Sequence, residues 1–260
     1  MVEQRQLGAS GIAISPLGLG CWQFSGGRGM AGRYWEALAH EVEEDIVRAA
    51  LEGGVNWFDT AELYGWGTSE GALTRSLKRL GRKNGDVVIA TKWWPLFRFA
   101  GHIRKSIDER LRRLDGFDID LYQVHQPYSF SSVTAQMNAM ADLVEAGKIR
   151  TIGVSNFSAR AMERASEVLA ARGMPLVSNQ VRYSLLDRAI EANGVLDAAK
   201  DLGVTIIAYS PLAQGILSGR FHDDPSQVAR LAGPRKRMTA FSRRGLERTR
   251  PLVEVLREIA

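Results

Sequence analysis

The feature that most constrains the fold is a series of seven short, mostly apolar runs, several of them rich in β-branched residues. The runs cover residues 17–22, 55–60, 87–92, 119–126, 149–155, 176–182 and 204–210, so that their starts lie 27 to 38 residues apart. Apolar runs of this length are typical of parallel strands that are buried on both faces. The spacing therefore predicts repeated βα units.

Amphipathic segments fill the intervals between these runs. They predict helices over residues 40–52, 69–80, 102–114, 131–146, 158–171 and 190–202, with a further helix over 241–260. Several segments begin at a serine and end near a glycine, as helix boundaries do. Residues 5–15, which contain Gly8 and Gly11, predict a small hairpin outside the repeat. Because no linker or shift in composition divides the chain, we expect residues 1–260 to form a single domain.

Polar residues at the ends of the runs help to choose between the two main architectures of parallel sheets. An open, doubly wound sheet concentrates its ligands at one switch point, whereas a closed barrel brings the C-terminal end of every strand around a single mouth. Nearly every run ends in groups capable of chemistry, which favours the barrel. The groups are Asp59, Thr60, Lys92, His125, Ser155, Asn156, Gln180, Arg182, Tyr209 and Ser210.

Composition excludes several other classes of protein. Hydrophobic residues make up 45% of the chain and charged residues 24%, which is typical of a globular protein with an ample core. No apolar run approaches the ~18 residues that a membrane span needs, and the first residues contain no apolar signal core, so we expect a cytoplasmic protein without a membrane partner. Cys21 is the only cysteine and the four histidines are not closely spaced, so no disulfide and no metal site are expected.

Positive charge is concentrated in residues 230–250, which hold eight Lys or Arg residues against one acid, Glu247. A basic stretch of this kind can bind a nucleic acid or another phosphate, but most are solvated faces. Aromatic residues do not alternate with these charges as a stacking platform requires. We therefore expect a solvated surface and no nucleic-acid partner.

Common phosphate and nucleophile motifs are not found. Gly18-Leu19-Gly20 is followed by Gln23 where a dinucleotide-binding loop needs a third glycine, and the sequence contains neither Gly-x-Ser-x-Gly nor a Walker A motif. The remaining candidates are one polar residue from each of three consecutive strand ends and a tyrosine on the following loop: Asp59, Lys92, His125 and Tyr64.

These four residue types suit proton donation to a carbonyl oxygen. Tyrosine keeps its proton at neutral pH, and we expect the nearby Lys92 ammonium to lower the pKa of Tyr64 towards a useful range. Asp59 can keep that lysine charged, and His125 can hydrogen-bond the substrate oxygen. Spacing alone leaves structural roles open for all four, namely a buried ion pair, a packed tyrosine and a core histidine.

Longer segments around these residues resemble the aldo-keto reductase family. The resemblance rests on Gly54-Val-Asn-Trp-Phe-Asp-Thr-Ala-Glu-Leu-Tyr-Gly65, Ala90-Thr-Lys92, Gln123-Val-His125, Ile152-Gly-Val-Ser-Asn-Phe157 and Ser178-Asn-Gln180, which occur in the family's order. Ala208-Tyr-Ser-Pro-Leu-Ala-Gln-Gly215 and the Gly-Pro-Arg at 233–235 are most similar to the plant and cyanobacterial branch that includes pyridoxal-reductase-like proteins.

This resemblance implies an (α/β)8 barrel that binds NADPH across its mouth and reduces a small carbonyl compound. Tyr64 is then the general acid, with Lys92, Asp59 and His125 supporting it. The family pattern places Ser155, Asn156 and Gln180 against the nicotinamide carboxamide and Tyr209 on the nicotinamide ring. It places the loop that contains Ser210, Leu212, Gln214 and Gly215 around the pyrophosphate. Ser155 and Asn156 have an alternative role as a helix cap before Ser158. Trp22, at the end of the first run, either lines the substrate cavity or only packs at that strand end.

The sequence departs from the family pattern at its C-terminal end. Seven βα runs are found, and the resemblance leads us to expect that the eighth βα unit, with the family's 2′-phosphate site, is missing from this chain. Three alternatives to turnover by Tyr64 stay open on sequence alone: a cofactor-binding regulatory subunit, a truncated inactive member, and a barrel aldolase or isomerase that forms a Schiff base on Lys92.

Overall fold

A computed structural model describes residues 3–260 of the chain. Its strands are β1 (Arg5–Gln6), β2 (Ala13–Ile14), β3 (Leu19–Gly20), β4 (Trp57–Asp59), β5 (Val88–Trp93), β6 (Leu121–Val124), β7 (Thr151–Ser155), β8 (Leu176–Arg182) and β9 (Thr205–Tyr209). Its helices are α1 (Gly29–Gly32), α2 (His40–Glu52), α3 (Thr68–Arg79), α4 (Gly101–Leu114), α5 (Val133–Glu145), α6 (Ala159–Ala170), α7 (Val195–Asp201), α8 (Arg220–Asp223) and α9 (Arg243–Ile259). None of the described helices is long and apolar enough to span a membrane.

Strands β3 to β9 form one parallel sheet in which every strand pairs with the next one along the chain. The helices α2 to α7 make the crossovers between β3 and β9, as the predicted βα repeats require. Their apolar faces pack against the outer face of the sheet in the main core cluster. The seven predicted runs thus form the seven strands of an (α/β)8-type barrel fold.

The predicted N-terminal hairpin is formed by β1 and β2, which pair antiparallel. Its apolar side chains share one cluster with residues of β4, β5, β6, β8 and β9, which only a curled sheet can bring together: Leu7, Ile12, Ile14, Trp57, Ala90, Leu121, Val177 and Ile207. The Gly8 N–H donates to Thr205 Oγ1 at 2.7 Å. The hairpin therefore fills the inside of the curled sheet at the N-terminal ends of its strands.

The first and last strands of the sheet, β3 and β9, do not pair with each other in the part of the chain that the structure describes. Only Leu19–Gly20 of the predicted run 17–22 is strand, and Leu17 is 74% exposed. The strands of a closed barrel are buried on both faces, yet Ala208 on β9 is exposed. The sheet therefore has two free edges, as the count of seven strands predicts.

Serine side chains cap three of the helices. Ser132, Ser158 and Ser242 accept hydrogen bonds from the first turns of α5, α6 and α9, and of these Ser158 is the serine at which the sequence predicts a helix to begin. The predicted helix 190–202 is wrong at its start. Gly194 adopts φ 81°, a left-handed conformation, so that α7 begins only at Val195 and a short 3₁₀ turn precedes it.

Candidate active site

The catalytic candidates lie inside the sheet at the C-terminal ends of its strands. Asp59 ends β4, Lys92 is the fifth residue of β5, and His125 follows β6 directly. The loop after β4 carries Tyr64 towards the same space, as the contacts below show. The structure therefore brings together the four residues that the sequence singles out.

Lys92 is fully buried and all of its described polar contacts are on the β4 side of the site. Its Nζ donates to Asp59 Oδ2 at 2.6 Å and to the Thr60 carbonyl oxygen at 2.9 Å. A buried ammonium needs an anion and further acceptors to remain charged. Asp59 provides the anion, as predicted, and the Thr60 carbonyl oxygen provides a further acceptor.

Tyr64 lies against this ammonium and between two other rings. Lys92 Nζ is 5.2 Å from the centroid of the Tyr64 ring. Trp22 stacks on one side of the ring at 5.8 Å between centroids, and His125 meets it edge-on at 5.6 Å. Trp22 therefore contacts the tyrosine directly and helps to fix its position.

The predicted net direction of the Tyr64 pKa shift is wrong. Burial raises the pKa of Tyr64 well above the ordinary tyrosine value, and the negative charge of Asp59 adds to the rise. The reason is that desolvation of the buried phenol, together with the Asp59 charge, outweighs the nearby Lys92 ammonium. Tyr64 therefore holds its proton firmly.

His125 is a neutral imidazole in this environment. Burial lowers the pKa of His125 well below the ordinary histidine value, and the nearby Lys92 charge lowers it further. Its Nδ1 is buried and has no hydrogen-bond partner among the described residues. Trp94 packs edge-on against the imidazole at 5.4 Å. A neutral, partly unpartnered imidazole can donate to or accept from a ligand oxygen.

Gln123 belongs to the site, although from the sequence it is expected only as part of the Gln123-Val-His125 motif. Its Nε2 donates to Asp59 Oδ1 at 3.3 Å, so that the two carboxylate oxygens of Asp59 are held by Gln123 and Lys92 respectively. Gln123 pairs in register with Lys92 on β5 and with Gly153 on β7. A Cβ at Gly153 would lie 2.3 Å from Ser178 Oγ and 3.1 Å from Gln123 Cγ. Glycine at this position therefore leaves room for the side chains of Ser178 and Gln123.

A sequence signal for Gln123 exists. It is a polar residue inside an apolar run, two positions before His125, and residues two apart in a strand share a face. An amide on the face of the sheet that carries the candidate histidine indicates a hydrogen-bonding role in the same cavity.

The residues predicted to hold the nicotinamide form one hydrogen-bonded group next to His125. The Tyr209 hydroxyl donates to Asn156 Oδ1 at 3.0 Å, and Asn156 Nδ2 donates to Ser155 Oγ at 3.0 Å and to the His125 carbonyl oxygen at 3.4 Å. Ser155 Oγ donates in turn to the Gln180 carbonyl oxygen at 2.9 Å. Ser158, rather than Asn156, caps α6, so the alternative role of the Ser155–Asn156 pair as a helix cap is not observed.

The loop after β9 has an unusual backbone. Ser210, Ala213, Gln214 and Gly215 all have positive φ values, between 48° and 98°. Leu212 is 57% exposed, and the Gln214 carbonyl oxygen accepts a hydrogen bond from Arg235 Nη2 at 3.0 Å. Left-handed residues within a tight loop turn peptide N–H groups into the concave surfaces that bind phosphates.

These features fit a nicotinamide dinucleotide. The Tyr209 hydroxyl donates to Asn156 Oδ1 and Asn156 Nδ2 donates to the His125 carbonyl oxygen, so hydrogen bonds join the strand end that carries His125 to the flat Tyr209 ring predicted to face the nicotinamide. The amide and hydroxyl groups of Asn156 and Ser155 lie beside it, and the loop from Ser210 to Gly215 begins directly after it. These groups therefore suit the carboxamide, ring and pyrophosphate that the resemblance assigns to them.

Comparisons with known proteins agree with this geometry. Residues 16–260 match the sequence model of the aldo/keto reductase family. An uncharacterized oxidoreductase of Mycobacterium tuberculosis is 38% identical over 264 residues, which cover 98% of this chain and 75% of the relative. The chloroplastic pyridoxal reductase of Arabidopsis thaliana is 30% identical over 261 residues, which cover 96% of this chain and 69% of the relative.

Solved structures show the same fold. Glycerol dehydrogenase from Gluconobacter oxydans superimposes with a TM-score of 0.76 at 28% identity, covering 94% of this chain and 73% of that protein. A thermostable aldo-keto reductase in complex with the inhibitor epalrestat superimposes with a TM-score of 0.73 at 32% identity, covering 88% of this chain and 80% of that protein. The chain therefore belongs to the aldo/keto reductase family of NAD(P)H-dependent oxidoreductases.

Proposed function

We propose that this protein reduces an aldehyde or ketone to an alcohol with NADPH, and that Tyr64 is the general acid. The observation that carries the proposal is the contact of a firmly protonated tyrosine with a buried ammonium, 5.2 Å from its ring centroid, and with a neutral histidine. Proton donation to an oxygen that becomes negatively charged needs a donor that is still protonated at neutral pH and a positive charge near it. Tyr64 and Lys92 supply these two features.

The proton moves from the Tyr64 hydroxyl to the carbonyl oxygen of the substrate. As the carbonyl carbon gains a hydride, its oxygen gains negative charge and takes this proton, and the C=O bond becomes a C–O single bond. Lys92 then stabilises the tyrosinate that remains. Asp59 holds Lys92 in place and is itself held by Gln123. His125, which is neutral, donates its ring N–H to the same oxygen. When bound, the reduced nicotinamide supplies the hydride.

The residues that would hold the cofactor follow from the site. Ser155, Asn156 and Gln180 would bind the carboxamide, because hydroxyl and amide groups satisfy both its donor and its acceptor. Tyr209 would support the ring, and Ser210, Leu212, Gln214 and Gly215 would wrap the pyrophosphate. We infer that residues 1–260 act as one domain, because the site takes its residues from the ends of all six strands from β4 to β9.

Formation of a Schiff base on Lys92 is disfavoured by the geometry. A lysine attacks a carbonyl only as the neutral amine. Lys92 is instead fully buried as an ammonium that donates to Asp59 and to the Thr60 carbonyl oxygen. Removing its proton would leave the Asp59 carboxylate without its strongest partner.

The test is the oxidation of NADPH over a panel of aldehydes and ketones by the parent protein and by Tyr64→Phe. The substitution keeps the ring and removes the proton donor, so the rate should fall by roughly 10²–10⁴-fold while NADPH binding stays within a few-fold of the parent value. Tyr128→Phe is the matched control, because Tyr128 is 65% exposed and should keep the full rate. A Tyr64→Phe variant as fast as the control would rule out the proposed acid.

A further inference from the structure

The loop after β4, which carries the proposed general acid, stays hydrogen-bonded to β5 beyond the end of its own strand. The Thr60 N–H donates to the Ala90 carbonyl oxygen at 2.8 Å, and the Glu62 N–H donates to the Lys92 carbonyl oxygen at 3.1 Å. In a regular parallel ladder Glu62 would also accept, through its carbonyl oxygen, from the Trp94 N–H. The structure closes this position differently.

The Glu62 carboxylate takes the place of the backbone carbonyl in this ladder. Its Oε2 accepts from the Trp94 N–H at 3.1 Å. The Glu62 carbonyl oxygen accepts instead from the Gly67 N–H at 3.1 Å, which closes the turn that contains Tyr64. Gly67 has φ 88°, a conformation that favours glycine. Glu62 therefore attaches the tyrosine loop to β5 and folds the same loop back on itself.

Arg98 extends this connection to the loop after β6. Its Nη1 donates to Glu62 Oε1 at 2.7 Å and to the Trp94 carbonyl oxygen at 3.2 Å. The Arg98 carbonyl oxygen accepts from the Phe130 N–H at 3.1 Å and from Ser129 Oγ at 2.9 Å. The pair of Glu62 and Arg98 thus connects the loops after β4, β5 and β6, the three strands whose ends carry the catalytic candidates.

The position of Tyr64 relative to the buried ammonium depends on Glu62. The Glu62 N–H binds the carbonyl oxygen of Lys92, and Tyr64 follows shortly after with its ring centroid 5.2 Å from Lys92 Nζ. Glu62 is only 6% exposed. A buried carboxylate and the donors bonded to it stabilise one arrangement, because leaving any of them unpaired is costly. The tyrosine loop is thus held in one place beside β5.

We propose that Glu62 is a positioning residue for the proton transfer, whose carboxylate fixes the loop that holds Tyr64 beside Lys92. Arg98 holds this carboxylate in turn. The inference rests on the proposed role of Tyr64 as general acid. A proton donor must lie within hydrogen-bond distance of the substrate oxygen, and a displacement of about 1 Å can lower a rate by roughly 10²-fold. Both carboxylate oxygens of Glu62 already have donors, so Glu62 acts through Tyr64.

A matched control for Glu62→Ala lies at the other end of the same strand. Asp120 is 5% exposed, and its carboxylate accepts from the Ile89 N–H of β5 at 2.8 Å and from Arg150 Nη1 at 2.5 Å. Asp120→Ala therefore removes the same kinds of bond, roughly 16 Å before Trp94 along the strand direction. Both variants should melt below the parent, since each leaves a backbone donor and an arginine without that acceptor.

Both variants are assayed by NADPH oxidation over a range of carbonyl concentrations, well below their melting temperatures. Glu62→Ala should lower kcat by roughly 10–100-fold and leave KM within about threefold of the parent value, because the substrate contacts stay in place. Asp120→Ala should keep kcat within about twofold of the parent. Equal kcat values for the two variants, or an effect of Glu62→Ala on KM alone, would overturn the proposal.

Glu62→Gln keeps the volume of the side chain and one acceptor for the Trp94 N–H, so it should fold even where Glu62→Ala does not. It loses the charge that holds Arg98. Its kcat should lie between those of the parent and Glu62→Ala, roughly 3–10-fold below the parent, with unchanged KM. A kcat equal to that of the parent would show that the carboxylate has no positioning role.

Deuterium exchange of the backbone amides separates this inference from the proposed reaction, because it requires no turnover. Residues 60–67 should exchange faster by roughly tenfold or more in Glu62→Ala than in the parent and in Asp120→Ala. Tyr64→Phe should leave this exchange unchanged while it lowers kcat. If the parent reduces no carbonyl, the proposed function fails, and faster exchange in Glu62→Ala still supports placement of the loop by Glu62. Unchanged exchange in Glu62→Ala overturns that placement.

Discussion

The ion pair between Lys92 and Asp59 makes the sharpest prediction about stability. Lys92→Met fills the same volume with an apolar side chain and leaves the Asp59 carboxylate in the site. That carboxylate is 9% exposed, and its remaining side-chain partner is the Gln123 amide at 3.3 Å. Removing one partner of a buried pair costs about 3–5 kcal/mol, because the other charge stays desolvated and unpaired.

For a chain of this size each kcal/mol lost from the free energy of unfolding lowers the melting temperature by about 2–4 °C. Lys92→Met should therefore melt roughly 6–20 °C below the parent. Scanning calorimetry or circular dichroism measures this shift. Lys78→Met is the control, since Lys78 Nζ and Asp115 Oδ2 are also 2.6 Å apart but on the surface, with 47% and 73% of their side chains exposed. A surface pair contributes only about 0–1 kcal/mol.

The double variant Asp59→Asn with Lys92→Met removes both charges and should recover most of the lost stability, because no unpaired charge remains buried. The reasoning would be refuted if Lys92→Met and the Lys78→Met control had the same melting temperature. It would also be refuted if the loss of unfolding free energy in the double variant equalled the sum of the losses in Asp59→Asn and Lys92→Met.

Three further predictions concern the tyrosines and the sheet. Because the pKa of Tyr64 is raised in the fold, the unfolded chain ionises this tyrosine first, so the free energy of unfolding should fall as pH rises above about 10, and Tyr64→Phe should reduce that slope in denaturant titrations. An equal slope in both proteins would contradict the raised pKa. Tyr209→Ala should weaken NADPH binding in fluorescence titrations by ~1–3 kcal/mol, the scale of a lost aromatic stacking surface, and unchanged affinity would count against its place beside the nicotinamide. Backbone amides of β9 should exchange with deuterium faster than those of β6, which is paired on both sides, and equal protection would show that the free edge is covered.

Repeated units and site residues could be predicted because both depend on local spacing. The apolar runs recur at the cadence of βα units, and parallel strands bring their C-terminal ends to one edge. That rule alone places Asp59, Lys92 and His125 in one cavity. The residue motifs around them add Tyr64, whose loop follows β4 directly.

Properties that depend on the environment in three dimensions could not be predicted. The pKa of Tyr64 depends on how deeply the phenol is buried and on how near Asp59 lies, and the sequence contains neither. Arg235 is buried because Trp35, two hundred residues earlier in the chain, packs on its guanidinium. A charge count over residues 230–250 cannot distinguish this arginine from its exposed neighbours.

The start of α7 shows a third kind of limit. Amphipathic periodicity extends through residues 190–202, but the positive φ of Gly194 interrupts it. Apolar spacing reports which face of a segment is buried, and it is insensitive to a single residue that breaks the hydrogen-bonded ladder. The difference between a continuous helix and a turn followed by a helix therefore appears only in the backbone.

The proposed reaction is tested most directly by following the hydrogen that reaches carbon. NADPH that carries deuterium at its transferred position is incubated with an aldehyde and the parent protein or Tyr64→Phe, and the alcohol is analysed by mass spectrometry. We predict one deuterium on the carbinol carbon with the parent and a rate of transfer lower by roughly 10²–10⁴-fold with Tyr64→Phe. Alcohol without deuterium, equal transfer by both proteins, or borohydride trapping of the aldehyde on Lys92 would contradict hydride transfer assisted by Tyr64.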